Sequence, residues 1–175
     1  MKNFDIRSMR TPKTDRKVRI VGEKGSEQNQ LRGELYEYCI DRLNVALDED
    51  CFFEVIALCD MMITDRIEAY TQYLLHDDEN HQKTGSIGLS VAAMGAARSD
   101  KDISIDAEYQ ALYTRIEQFA GARNEIMHGF VLVKNETKDA PLEQREEFAQ
   151  FMAEFGAKLL IDVMSWTRKQ IEVTI

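Results

Sequence analysis

The chain has 175 residues, 44% of them hydrophobic and 30% charged, which suits one domain with a sizeable core. No uninterrupted apolar run approaches the ~20 residues that a bilayer span needs, and Met1-Lys2-Asn3-Phe4-Asp5 lacks the apolar core of a secretory signal, so a soluble cytoplasmic protein with no membrane partner is expected. The formal net charge of −9 argues against broad nonspecific binding of nucleic acid, because neutralising phosphate needs basic surface.

That charge is unevenly spread. Residues 1–24 hold eight basic side chains (Lys2, Arg7, Arg10, Lys13, Arg16, Lys17, Arg19, Lys24) against three acids (Asp5, Asp15, Glu23), which leaves +5 there and −14 over residues 25–175. Residues 1–25 therefore read as a basic arm, and residues 26–175 as the folded domain. Such an arm suits contact with RNA or DNA, or with an acidic partner surface, or it stays a solvated tail with too few apolar residues to offset its ordering entropy.

Beyond Gly25 the pattern is helical. Ser26 is a candidate N-cap for a helix with Leu31, Leu35, Cys39, Leu43 and Leu47 on its apolar side. The acidic cluster Asp48-Glu49-Asp50 suits the start of a second helix, since negative charge is favoured at helix N-termini. Its stripe runs through Phe52, Val55, Cys59, Met62, Ile67, Tyr70 and Leu74, and the polar run from His76 to Lys83 ends it. Residues 84–98 are small and apolar. Their three glycines lack the Gly-Lys-Ser/Thr of a phosphate loop, so a short, closely packed helix or an ordered loop is expected instead.

A third long helix, roughly Ile105 to Met127, repeats apolar side chains at Ile105, Tyr109, Leu112, Ile116, Phe119 and Ile126, with Gly129 placed to cap its C-terminus. A short extended piece is possible at Phe130-Val131-Leu132-Val133. Pro141 sits in the first turn of a last helix whose stripe is Phe148, Phe151, Phe155, Leu159, Val163 and Trp166. The fold class is all-α: an up-and-down bundle of four long helices with one short extra helix between the second and third.

Two groups of possible metal ligands carry little. Cys39, Cys51 and Cys59 are odd in number and lack a paired CxxC spacing, so they read as reduced core thiols. His76 and His81 stand in a polar loop beside Asp77, Asp78 and Glu79, which has the composition of an acidic loop rather than a metal site. No metal and no cofactor are expected.

The informative segment is Arg123-Asn124-Glu125-Ile126-Met127-His128-Gly129. At about 100° per residue Arg123 projects near the middle of its helix's apolar stripe, where a guanidinium is costly unless a carboxylate, a phosphate or carbonyls pair with it. Asp60 and Asp65 are candidate carboxylates. His128, five residues on, can exchange a proton near neutral pH. An arginine to hold phosphate and a histidine to move protons suit phosphodiester chemistry. The two side chains point about 140° apart around a regular helix, so either the helix ends or distorts after Gly121, or two copies share one cleft. Asn124 lies between them in direction and can contact phosphate, orient the histidine or satisfy a helix end.

Arg123, Asn124 and His128, followed by Gly129, resemble the signature of the HEPN superfamily, and the helical pattern from Leu31 to Trp166 extends the resemblance. It implies a two-fold homodimer whose two motifs line one cleft, and metal-free cleavage of RNA, in a toxin or host-defence setting. The implied catalytic residues are Arg123, Asn124 and His128. HEPN toxins paired with a nucleotidyltransferase antitoxin have a tyrosine where this chain has Phe130, which has no hydroxyl to modify; an antitoxin or protein partner of another kind remains open. The alternatives are a noncatalytic dimeric scaffold, a transcriptional regulator, or a nucleotide-binding module in which Arg123 holds the nucleotide.

Overall fold

A computed structural model describes residues 27–75, 85–129 and 142–174 of the chain. Ser26, His76, His81, Phe130 to Val133 and Pro141 lie outside the described residues. Within them the protein is all-helical: α1 (Glu27–Asp48), α2 (Phe52–Leu74), α3 (Ile87–Asp100), α4 (Ala107–Gly129) and α5 (Leu142–Thr174). No described helix is long and apolar enough to cross a membrane.

The acidic cluster between α1 and α2 ends one helix instead of starting the next. Asp48 is the last residue of α1, Asp50 takes a left-handed conformation (φ 55°), and the Cys51 N–H reaches back to the Ala46 carbonyl at 2.8 Å. This is a Schellman-type stop, and Asp tolerates the left-handed region better than most residues. Asp102 (φ 54°) closes α3 the same way, with Ile103 N–H on the Arg98 carbonyl at 2.9 Å and Asp102 N–H on the Ser99 carbonyl at 3.0 Å.

α2 is the central element and packs on each of the other four helices, most extensively on α5. Its stripe is buried as its spacing predicts: Val55, Cys59, Met62, Ile67, Tyr70 and Leu74 face the core, with Phe52 half-buried at the edge. Two other stripes are corrected. In α1 the core face is Ile40, Leu43 and Ala46, with Tyr36, Cys39 and Leu47 beside it, while Leu31 and Leu35 point away. In α5 Phe148 and Phe151 are exposed and Phe155 is half-buried, while Leu159, Val163 and Trp166 are buried as their spacing predicts and are joined in the core by Ala149, Met152, Ala153, Ala157 and Leu160. The thiols divide similarly. Cys59 is buried, whereas Cys39 and Cys51 are only partly so.

Where α2, α4 and α5 meet, a glycine is required. A Cβ on Gly156 would stand 2.5 Å from the Phe119 ring and 3.3 Å from the Cys59 Cβ, and Phe119 is fully buried. α5 runs antiparallel to α4, tied by Lys169 to Glu108 and by Arg115 to Asp162, both at 2.7 Å.

Two glycine substitutions should therefore have opposite signs. Gly33→Ala, in exposed α1 with nothing near its would-be Cβ, should stabilise by up to about 1 kcal/mol from helix propensity. Gly156→Ala gains the same propensity but overpacks the core, at a cost of about 1–3 kcal/mol. Urea unfolding of the two variants checks this; equal effects would show that Phe119 yields freely.

Candidate functional site

The motif residues sit in the last two turns of α4. That helix begins where Asp106 Oδ1 accepts a hydrogen bond from the Tyr109 N–H at 2.7 Å, an N-cap that sets its start. Ile105 precedes the helix and is exposed, but Tyr109, Leu112, Ile116, Phe119 and Ile126 form the buried stripe. The helix runs unbroken to Gly129, its last residue. The 140° divergence of Arg123 and His128 is thus not relieved by a break after Gly121.

Arg123 lies on that stripe and is partly buried, with its guanidinium directed at α2. Nη2 is 3.0 Å from Asp60 Oδ2, and Nη1 donates to Asn124 Oδ1 at 2.7 Å. Of the two candidate carboxylates it is Asp60 that pairs with Arg123. Asp65 faces α1, where it pairs with Arg32 and accepts from the Tyr36 hydroxyl at 2.6 Å. Arg123 Nε and Asp60 Oδ1 are both buried without a hydrogen-bond partner among the described residues. Asn124 is exposed and uses its carbonyl to orient the arginine; it is not bonded to His128. His128 is exposed in the final turn.

Desolvation dominates the electrostatics at Asp60. Burial pushes its pKa above the ordinary carboxylate value, and the adjacent Arg123 opposes that rise only in part. Next to it, the Cys59 thiol is pushed far up by burial and then by the Asp60 charge. Around the pair, Phe53, Ala57 and Met61 are exposed on the flank of α2 that carries Asp60, and Met127 is exposed one turn beyond Arg123. The arrangement is a half-buried, oriented cation set in apolar surroundings, with a solvent-facing imidazole on the same helix.

A second arginine escaped the sequence reading. Arg98 of α3 is 1% exposed. It lies 4.4 Å over the Tyr109 ring and 5.4 Å over Trp166, and donates to the Tyr70 hydroxyl (3.0 Å), Gln170 Oε1 (3.3 Å) and the Ser104 carbonyl (2.8 Å). No carboxylate pairs with it among the described residues. The signal that marked Arg123 was present here too, since Arg98 follows buried Val91 and Met94 by seven and four residues. Among the described residues no three His, Cys, Asp or Glu side chains cluster as a metal site.

No protein-family model matches the chain, no curated protein matches its sequence, and no solved structure matches its fold.

The Asp60–Arg123 pair has a titration consequence. The folded protein holds the Asp60 proton more tightly than the unfolded chain does, so this group's contribution to stability is largest below about pH 4 and declines as pH rises through the raised folded value. Carboxyl-carbon NMR titration should place Asp60 above ordinary aspartate, and Arg123→Ala should move it higher still. A midpoint that stays put or falls in that variant would show that the guanidinium does not act on Asp60.

Proposed function

We propose that the chain is a HEPN-type, metal-independent endoribonuclease that works as a homodimer. The observation that carries this reading is the motif itself: Arg123 oriented by Asp60 and Asn124, and His128 open to solvent, on one unbroken helix. Four helices of 22 or more residues, with the 14-residue α3 between α2 and α4, accord with a HEPN-like bundle. Because one copy turns Arg123 and His128 to different sides, a cleft shared by two copies is the simplest way to bring both kinds of side chain to one phosphate. The exposed Met61 and Met127 beside Arg123 are apolar surface that such a dimer would cover.

In the proposed reaction the ribose 2′-oxygen bonds to the adjacent phosphorus as the bond from phosphorus to the 5′-oxygen breaks. One His128 takes the 2′-hydroxyl proton and the other copy's His128 protonates the leaving 5′-oxygen, giving a 2′,3′-cyclic phosphate and a 5′-hydroxyl. Arg123 stabilises the charge on the nonbridging oxygens. To do so it must share its guanidinium between phosphate and Asp60, so the phosphate competes with a partly buried carboxylate 3.0 Å away.

A second reading has an observation of its own. Arg123 already has a carboxylate and an amide as partners, which is how a noncatalytic scaffold would use it. Cleavage separates the readings, and mass tests the dimer common to both. Labelled RNA incubated with the purified protein in EDTA should be cut, and His128→Ala should lower the rate by about 10²-fold or more with melting temperature retained. Light scattering at micromolar concentration should give the mass of a dimer. No cleavage of varied RNAs by the wild type, with loss of folding in both Arg123→Ala and His128→Ala, would favour the scaffold.

A further inference from the structure

α1 presents a second apolar face that its packing on α2 does not use. Leu31, Leu35, Tyr38 and Val45 are 55%, 54%, 66% and 40% exposed. Their spacings of four, three and seven residues confine them to roughly 80° of the helix circumference, so they form one lengthwise stripe. Arg42 falls within it and is held by Glu54 of α2 through hydrogen bonds of 2.5 and 2.7 Å. The other basic residue of α1, Arg32, is paired with Asp65. Glu34, Glu37, Asp41 and Asp48 follow one edge of the stripe at helical spacing, giving it an acidic border.

That border limits what can cover the stripe. Two copies meeting stripe to stripe in antiparallel fashion would set acidic edge against acidic edge. A parallel pair would need the opposite flank, Cys39 and Ala46, which is already turned toward α2. The fitting occupant is an apolar segment carrying positive charge, and this chain has one. Residues 1–24 carry +5, and within them Lys17-Val18-Arg19-Ile20-Val21 interleaves basic and β-branched side chains. The segment is joined to α1 just before the stripe begins, so docking is intramolecular and enjoys an effective concentration on the order of millimolar. The stripe from Leu31 to Val45 is ~21 Å long, which six or seven extended residues span. Gly22 and Gly25 supply residues suited to the reversal of direction between them.

We propose that the exposed stripe of α1 is the docking site of the chain's own basic amino-terminal segment, with Val18 and Ile20 against Leu31, Leu35, Tyr38 and Val45. Lys17 and Arg19 reach to the acidic edge along their flexible stems. The segment is then a strap on α1 and not a free arm for nucleic acid. This inference does not depend on the ribonuclease reading.

Trypsin reports on it directly, because the segment's own Arg16, Lys17 and Arg19 are the cleavage sites. In the full-length protein, cleavage there should be about 10-fold or more slower than in a synthetic peptide of residues 1–24, as proteolysis follows the population of the undocked form. Leu35→Asp with Tyr38→Asp should abolish the protection while helical circular dichroism and melting temperature are kept. Val18→Asp with Ile20→Asp, which leaves the helical body untouched, should abolish it too. Peptide-like rates in the wild type would overturn the proposal, as would protection that survives both pairs of substitutions. So would protection that grows with protein concentration, which would identify a second copy as the occupant, or protection that appears only when RNA is added.

Discussion

Arg98 is the constraint around which the helices assemble. Taking a guanidinium out of water costs several kcal/mol, and here no carboxylate compensates among the described residues. What holds it is a set of neutral contacts, Tyr70 from α2, Tyr109 from α4, Trp166 and Gln170 from α5, and the Ser104 carbonyl from the turn after α3, although its Nε has no hydrogen-bond partner among the described residues. Hydrogen bonds to a charged donor contribute about 1.5–3 kcal/mol each and a desolvated cation–π contact about 2. No single one of these is enough. The cation is tolerable only when four helices are in place together, which makes their association cooperative. The same charge acts back on its cage, since it opposes the rise that burial imposes on the Tyr70 and Tyr109 hydroxyl pKa values.

This anchor reaches the motif through α4. Tyr109 fixes the start of that helix against Arg98 and Trp166, the Gly156–Phe119–Cys59 contact fixes its middle, and Arg123 emerges one turn beyond Phe119. Cys59 and Asp60 are neighbours in sequence, so the close packing of Phe119 and Cys59 around Gly156 also brings Asp60 within reach of Arg123. The geometry of the ion pair is therefore set by core packing, not by the two charges finding each other.

How much of this was legible follows from which residues compete for a face. α2 has one apolar face, and its stripe read correctly. α1 has two, Leu31-Leu35-Tyr38-Val45 and Tyr36-Ile40-Leu43-Leu47, and the period of a helix does not say which one meets α2. The choice is made by tertiary partners such as Asp65, which receives Arg32 and Tyr36. In α5 the second half of the stripe, Leu159, Val163 and Trp166, is core as its spacing says, but in the first half Ala149, Ala153 and Gly156 are buried in place of Phe148 and Phe151, and size alone does not reveal that choice. At the motif, the need for a partner to Arg123 was readable from the stripe. Choosing Asp60 over Asp65 was not, because five residues along α2 turn them toward different helices. The turn at Asp50 was misread since an acid at a junction serves equally at a helix start or in the left-handed position at its end.

The unequal depth of the three cysteines gives the molecule a built-in set of chemical handles. Cys59 is fully buried and beside a carboxylate, so its thiol resists ionisation and stays silent toward alkylating reagents and mild oxidants. Cys39 and Cys51 remain partly accessible, one on α1 and the other at the joint between α1 and α2. A maleimide or spin label added to the unaltered protein would thus settle on the α1 side alone, leaving the motif helix chemically unmarked.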